Sequence, residues 1–391
     1  MRIVLLLVAS LTPCFGASSH VLVMPFTQDR TPPAKNSNLA WMGESVSEAI
    51  VETLANSGLL VTSREERLDA SRRLSVKESA TLTRATVLKL GQTLDVDEAI
   101  YGSFQESADG RLTITAHALH VRELRQGWEH TVASPVAELS ALQHQLAWEV
   151  LRGVAPALAP SAEEFYGKKP VIKLEAMEQY VRGLLAESAD AKHRFLTQAA
   201  RLDERFGPAR FELGRLQYAR NNYREAIGWL ERIPSNDALY HQARFLAGLS
   251  YFYVSDYAGA EQAFSLVERN LPLAEVLNNL GAALSRQGRF EEALRQFEQA
   301  SQADPQEAAF HFNRGYVLWR LRRLPLAAMA FRKALESRPE DQEPALFLQM
   351  SEQPPDDALA DPRFQARERL RTRLEESAYR QLKAVLQKQT K

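Results

Sequence analysis

The feature that most restricts how this chain can fold is a recurrence. Gly281, Leu284, Ala293, Phe297, Ala300 and Pro305 return 34 positions later as Gly315, Leu318, Ala327, Phe331, Ala334 and Pro339. Thirty-three positions before the first set stand Gly248, Tyr251, Ala260, Phe264, Val267 and Pro272. A further 34 positions towards the amino terminus, Gly214, Ala226, Leu230 and Ile233 keep the pattern, while Gln217 and Ala238 break it. A fainter copy spans 173–206, with Gly183, Phe195 and Ala199. Such a period marks a stack of like supersecondary units. The residue types give the reason. Gly281 and Gly315 allow two helices to approach closely, and Ala293 and Ala327 do the same from the second helix. Phe297 and Phe331 fill the space between neighbours. Pro305 and Pro339 end the second helix, because proline lacks an N–H and clashes inside a helix. A hairpin of this kind has two apolar faces and can bury them only by stacking.

These spacings are similar to those of the tetratricopeptide repeat, and the resemblance covers about 170 residues. It divides 172–341 into units at about 173–206, 207–240, 241–273, 274–307 and 308–341. It implies an all-α solenoid whose first helices line a concave groove. Positions one, four and five beyond each repeat glycine, and three before it, tend to face that groove. They hold Phe211, Arg215 and Tyr218; Phe245, Leu249, Phe252 and Tyr253; Asn278 and Arg286; Phe312, Tyr316, Trp319 and Arg320. Aromatic residues and arginine dominate binding hot spots, and arginine pairs bidentately with carboxylates. The expected partner is therefore an extended segment or helix of another protein. The competing reading is that several of these aromatics are inter-repeat core.

The pattern breaks over 342–361, with Pro344, Pro354 and Pro355, and Pro362 follows. Residues 363–388 then read as a charged amphipathic helix with Phe364, Leu370, Leu374, Tyr379, Leu382, Val385 and Leu386 on its apolar stripe. The stretch 342–391 is expected to cap the solenoid or to offer a partner-binding helix.

Residues 17–155 have a different texture. Strand patterns are expected at 21–26, 59–62, 98–104, 112–121 and 128–132, and helices at 41–57, 82–94 and 139–154. Turns are expected at 107–110 and 125–127. Strands alternating with helices and ending in a meander mean a small α/β layered domain. The fold class is thus α+β/α multidomain: that layered domain followed by the all-α solenoid. VLVMPF at 21–26, MGESVSEAIVETLANSG at 42–58, and DVDEAIYGSF followed by RLTITAHAL resemble the TolB-type amino-terminal domain family. The resemblance implies a periplasmic or envelope-associated, non-catalytic module. Residues 156–171 carry Pro156, Pro160 and Pro170 and read as a linker.

At the amino terminus, Arg2 precedes the apolar run IVLLLVASL at 3–11, and small residues follow. This is the pattern of a secretory signal over 1–16; a first buried strand is the alternative. The run is too short for a transmembrane helix, which needs about 20 apolar residues. Leu11-Thr12-Pro13-Cys14 resembles a bacterial lipobox, although Pro13 departs from it. Cys14 is therefore either discarded with the signal or carries a lipid anchor. It is the single cysteine, so the chain can form no internal disulfide.

Composition removes other classes. With 48 basic against 49 acidic residues there is no basic footprint for nucleic acid. No phosphate-cradling loop, zinc-hydrolase or nucleophile-elbow motif occurs. His117, His120 and His130 form the main histidine cluster, read as strand histidines rather than metal ligands. No enzyme activity, cofactor or metal is expected. The expected function is an exported scaffold or adaptor in the periplasm or envelope. The alternative is a regulatory or sensory subunit controlling a separate output protein.

Overall fold

The computed structural model of the chain describes residues 20–29, 40–76, 82–168, 172–353, 361–375, 378–379 and 382. The signal and Cys14 lie outside the described residues. The chain divides into two compact units, Met1–Val136 with Leu142–Gly167, and Ala137–Ala141 with Lys168–Lys391.

Among the described residues the first unit holds one six-stranded sheet. Its strands are β1 His20–Val23, β2 Thr27–Gln28, β3 Leu60–Val61, β4 Glu98–Glu106, β5 Arg111–His120 and β6 Arg125–Pro135. They lie in the order β3-β1-β4-β5-β6, with β2 beside β4. β1 runs parallel to β3 and β4, while β4, β5 and β6 form an antiparallel meander. Parallel neighbours need crossovers, which α1 (Ala40–Asn56), α2 (Arg64–Arg73) and α3 (Arg84–Thr93) supply before α4 (Leu139–Val154) closes the unit. Leu22, Val87, Leu90, Val96, Leu119 and Val121 form a buried cluster between sheet and helix.

Three local features depart from the sequence expectations. Helix α2 was not foreseen, because REERLDASRR carries no apolar period. Its signal is the capping box: Ser63 Oγ accepts from Glu66 N at 3.2 Å, and Glu66 Oε2 accepts from Ser63 N at 2.7 Å. The second hairpin turn falls at 121–124 rather than 125–127, with Leu124 at φ 54°. Gly127 already lies in β6, where a Cβ would stand 2.9 Å from Ala118 Cβ. The linker composition at 156–171 also conceals structure. A 3-10 turn at Pro156–Leu158 leads to α5 (Ala162–Lys168), whose Phe165 ring lies 4.3 Å from His144 on α4. Trp148 Nε1 donates to Pro160 O at 3.0 Å.

Glu98, at the start of β4, is 6% exposed. Burial pushes its carboxyl up to about 7, offset in part by Trp128 and Arg125. Its folded-state value therefore lies above the ordinary 4.5. The penalty for ionising it is absent at low pH, grows as pH rises from about 4.5 to 7, and is complete above that. On the order of 3 kcal/mol of the first unit's stability should be lost over that window. Glu98→Gln should flatten this slope; a melting series from pH 5 to pH 8 reads it, and parallel curves for both proteins would refute it.

The second unit is helical. After α6 (Leu174–Leu185) come α7 (Ala189–Leu202), α8 (Gly207–Ala219), α9 (Tyr223–Leu230), α10 (Tyr240–Tyr253) and α11 (Tyr257–Glu268). Then follow α12 (Ala274–Arg286), α13 (Phe290–Ala303), α14 (Ala308–Arg320), α15 (Leu324–Ser337) and α16 (Gln342–Glu352). Consecutive helices pack as hairpins, and each hairpin packs on the next. The recurrent residues do what their chemistry requires. A Cβ on Gly281 would meet the Phe297 ring at 2.8 Å, and one on Gly315 would meet Phe331 at 2.7 Å. Phe264, Phe297 and Phe331 are fully buried in one continuous core. Pro305 and Pro339 each stand two residues beyond the end of a second helix.

Candidate functional site

The groove lies along α10, α12, α14 and α16, and the chain's own carboxy-terminal segment occupies part of it. Residues 363–388 were expected to be helical. Apart from a 3-10 turn at Pro362–Phe364, residues 365–375 form no helix, and helical conformation is found only at 378–379 and 382 among the described residues. Ala366, at φ 59°, turns the chain into the groove. Over 365–375 the expected helix is replaced because the backbone finds partners elsewhere.

Those partners are three buried asparagines. Asn313 Oδ1 accepts from Arg369 N at 2.8 Å, and Asn313 Nδ2 donates to Arg369 O at 2.8 Å. Asn278 Nδ2 donates to the same carbonyl at 2.8 Å. Two residues on, Asn279 Oδ1 accepts from Arg371 N at 2.8 Å, and its Nδ2 donates to Arg371 O at 2.7 Å. Asn313 also donates to Asn278 Oδ1 at 2.7 Å. The step of two is the period of an extended strand, so the asparagine amides act as the neighbouring strand. All three asparagines are fully buried. A buried amide must be satisfied, and this peptide satisfies them.

Side chains add a second layer. Arg369 bonds Asp341 at 2.5 Å and 3.0 Å and Glu343 at 2.8 Å. Its guanidinium carbon sits 4.0 Å above the Phe312 ring. The Arg369 guanidinium holds the Asp341 carboxyl below its ordinary range. Arg371 reaches Glu307 at 2.7 Å. On the other side Glu368 accepts from Ser285 Oγ at 2.5 Å and from Arg286 Nε at 2.6 Å, while Arg286 Nη2 holds Ala366 O at 2.9 Å. Beside this segment lies a hollow of about 350 Å³ lined by Phe252, Tyr253, Ser255, Tyr257, Arg286, Glu368 and Leu370.

The residues singled out in the sequence are thus dispersed. Asn278 and Arg286 hold the segment's backbone, and Phe312 stacks under its arginine. Trp319 is buried with its ring 6.4 Å from Phe364. Tyr316 is fully buried and accepts from Arg320 Nη1 at 3.1 Å, and Arg320 lies over Phe290. Phe252 and Tyr253 line the hollow, and Tyr253 stacks on Tyr223 at 4.8 Å with Tyr218 beside them. Phe245 and Leu249 are buried core, and Phe211 packs against the cluster of Ala226 and Leu230. Arg215 is exposed and pairs with Glu212 at 2.9 Å. Asn279, Asn313, Glu307, Asp341 and Glu343 escaped the sequence reading. A signal for the first two exists: they stand 34 apart, each two residues before its repeat glycine. No group of three or more His, Cys, Asp or Glu among the described residues could hold a metal ion.

The tetratricopeptide repeat family model matches residues 185–241 and 278–342. The second unit carries tetratricopeptide repeats. No curated protein matches the chain in sequence. Solved structures similar to parts of it include YrrB, described as a TPR protein with an unusual peptide-binding site. That match has 19% identity over 46% of this chain and 92% of YrrB, with TM-score 0.40. Another is MamA 41-end from Desulfovibrio magneticus RS-1, with 20% identity, 44% and 99% coverage and TM-score 0.40. A third is the LpoB C-terminal domain from Salmonella enterica, with 20% identity, 30% and 83% coverage and TM-score 0.25. Tetratricopeptide arrays of this kind are protein-binding scaffolds, and no helix among the described residues is long and apolar enough to cross a membrane.

Proposed function

We propose that this protein is an exported, non-enzymatic scaffold that captures an extended segment of another protein in its tetratricopeptide groove. The observation that carries the reading is the asparagine clamp. Asn278, Asn279 and Asn313 bond main-chain atoms, so they recognise an extended backbone whatever its side chains. Peptide recognition of this type draws affinity from main-chain hydrogen bonds and selectivity from the flanking pockets. Export is supported by the apolar run at 3–11 behind Arg2. The resemblance of residues 17–155 to the TolB-type amino-terminal domain family supports an envelope role for the first unit, with a lipid on Cys14 or loss of that residue with the signal.

A photo-crosslinking residue at Tyr253, which is 43% exposed, should capture a discrete partner in intact cells. The triple variant Asn278→Ala, Asn279→Ala, Asn313→Ala should lose that adduct while keeping its helicity. An undiminished adduct would refute the groove reading. Fractionation with intact-mass measurement tests export; an unprocessed cytoplasmic chain would favour the regulatory-subunit alternative.

A further inference from the structure

We infer that residues 366–374 are an internal pseudo-ligand, and that the groove's true partner is an extended peptide with the pattern Glu-Arg-apolar-Arg, which must displace this segment to bind. The inference rests on the groove reading above and extends it to the partner's chemistry and its control.

Four observations on this one stretch of nine residues support it. The backbone of Arg369 and Arg371 is gripped on both N–H and C=O by groove side chains. Alternate side chains enter pockets of opposite charge: Glu368 faces Ser285 and Arg286, while Arg369 faces Asp341 and Glu343 and Arg371 faces Glu307. The segment lies far along the chain from its partners, 91 and 92 residues from Asn278 and Asn279, so no local propensity enforces the fit. Finally, the fit is incomplete. Leu370 forms one wall of the 350 Å³ hollow and leaves it unfilled against Phe252, Tyr253 and Tyr257.

The incomplete fit gives an external peptide its advantage. A tethered ligand acts at an effective concentration on the order of 1 mM, so a segment of about 10 µM intrinsic affinity weakens any external competitor about a hundredfold. A competitor that repeats the Glu-Arg-apolar-Arg contacts only matches the segment's intrinsic affinity and still bears that handicap of about a hundredfold. One with a larger apolar side chain at the place of Leu370 also fills the hollow. Burial of that extra surface is the contact the internal segment lacks.

The test uses the full chain and a labelled synthetic peptide, FQARERLRTRLE, which copies residues 364–375. Charge reversal of the internal copy, Arg369→Glu with Arg371→Glu, sets it against Asp341, Glu343 and Glu307 and should release it. Fluorescence anisotropy should then show the peptide binding this variant at least tenfold more tightly than the wild type. A peptide carrying Leu370→Phe should bind the variant more tightly than the unaltered peptide. Equal binding to wild type and variant would overturn self-occupancy while leaving the groove reading intact. Failure of either folded protein to bind any of these peptides would overturn both. Wild-type chain gives an independent readout: trypsin should cut after Arg369 and Arg371 slowly, and at least tenfold faster with the Leu370→Phe peptide in excess. Cleavage indifferent to the peptide would refute displacement.

Discussion

Arg67→Ala is expected to cost the first unit about 3 kcal/mol, near the lower end of the range for breaking a buried ion pair. Arg67 is 3% exposed and Glu44 is 4% exposed. One Arg67 nitrogen donates to Val23 O at 3.1 Å and Ser47 Oγ at 2.9 Å, and the other pairs with Glu44. Alanine leaves a carboxylate, a hydroxyl and a strand carbonyl without that donor. The lower end is expected because Arg64 Nε also bonds Glu44 at 2.7 Å and keeps part of its compensation. Urea unfolding followed by tryptophan fluorescence measures the loss. Glu44→Leu combined with Arg67→Met should recover most of it, since an apolar pair needs no charge compensation. A single variant that unfolds at the wild-type midpoint would contradict this account.

Phe331→Ala should be as damaging in the second unit, by about 3–5 kcal/mol, the usual cost of emptying a buried phenylalanine site. The ring fills the gap opened by Gly315, with Phe312 at 5.9 Å and Phe347 at 5.6 Å. Helix backbone and other aromatic rings bound the hole, so it cannot collapse. Phe312 also lies beneath Arg369, so the loss extends to the groove. Far-UV circular dichroism in urea measures the stability change. Faster tryptic cutting after Arg369 under native conditions measures the loosening of the bound segment. A midpoint shift corresponding to less than about 1 kcal/mol would show that the site repacks, as volume-tolerant cores do.

The legible parts of this protein share a cause. The repeat was readable because each glycine and its phenylalanine are 16 residues apart and their pairing recurs with a fixed period. Most strands and helices of the first unit were readable because their apolar periods of two and 3.6 are local. Helix α2 was not, since it buries only Arg67, Ala70 and Ser71, and the largest of them, Arg67, is a charged residue that hydropathy patterns assign to solvent. The groove was half legible. Asn278, Arg286 and Phe312 stood at positions the repeat resemblance marks as concave, but so did Phe245 and Leu249, which are core. A helix face turns gradually, and an aromatic on its shoulder serves core or groove according to the neighbouring hairpin.

The amino-acid sequence by itself determined that this chain stacks helical hairpins after a layered sheet unit, because glycine, alanine, phenylalanine and proline at fixed spacing leave the hairpins no other way to bury their faces. It also carried the asparagines that recur 34 apart. Only the tertiary structure decided what fills the groove. Residues 365–375 have a helical apolar stripe, yet their backbone is extended across asparagines 56 to 92 residues away. A helix would have satisfied those amides within the segment itself and taken from Asn278, Asn279 and Asn313 the main-chain partners that they bond here, leaving them only one another; the hydrogen bonds of these polar groups outweighed local periodicity, and that competition has no signature in the segment's own sequence.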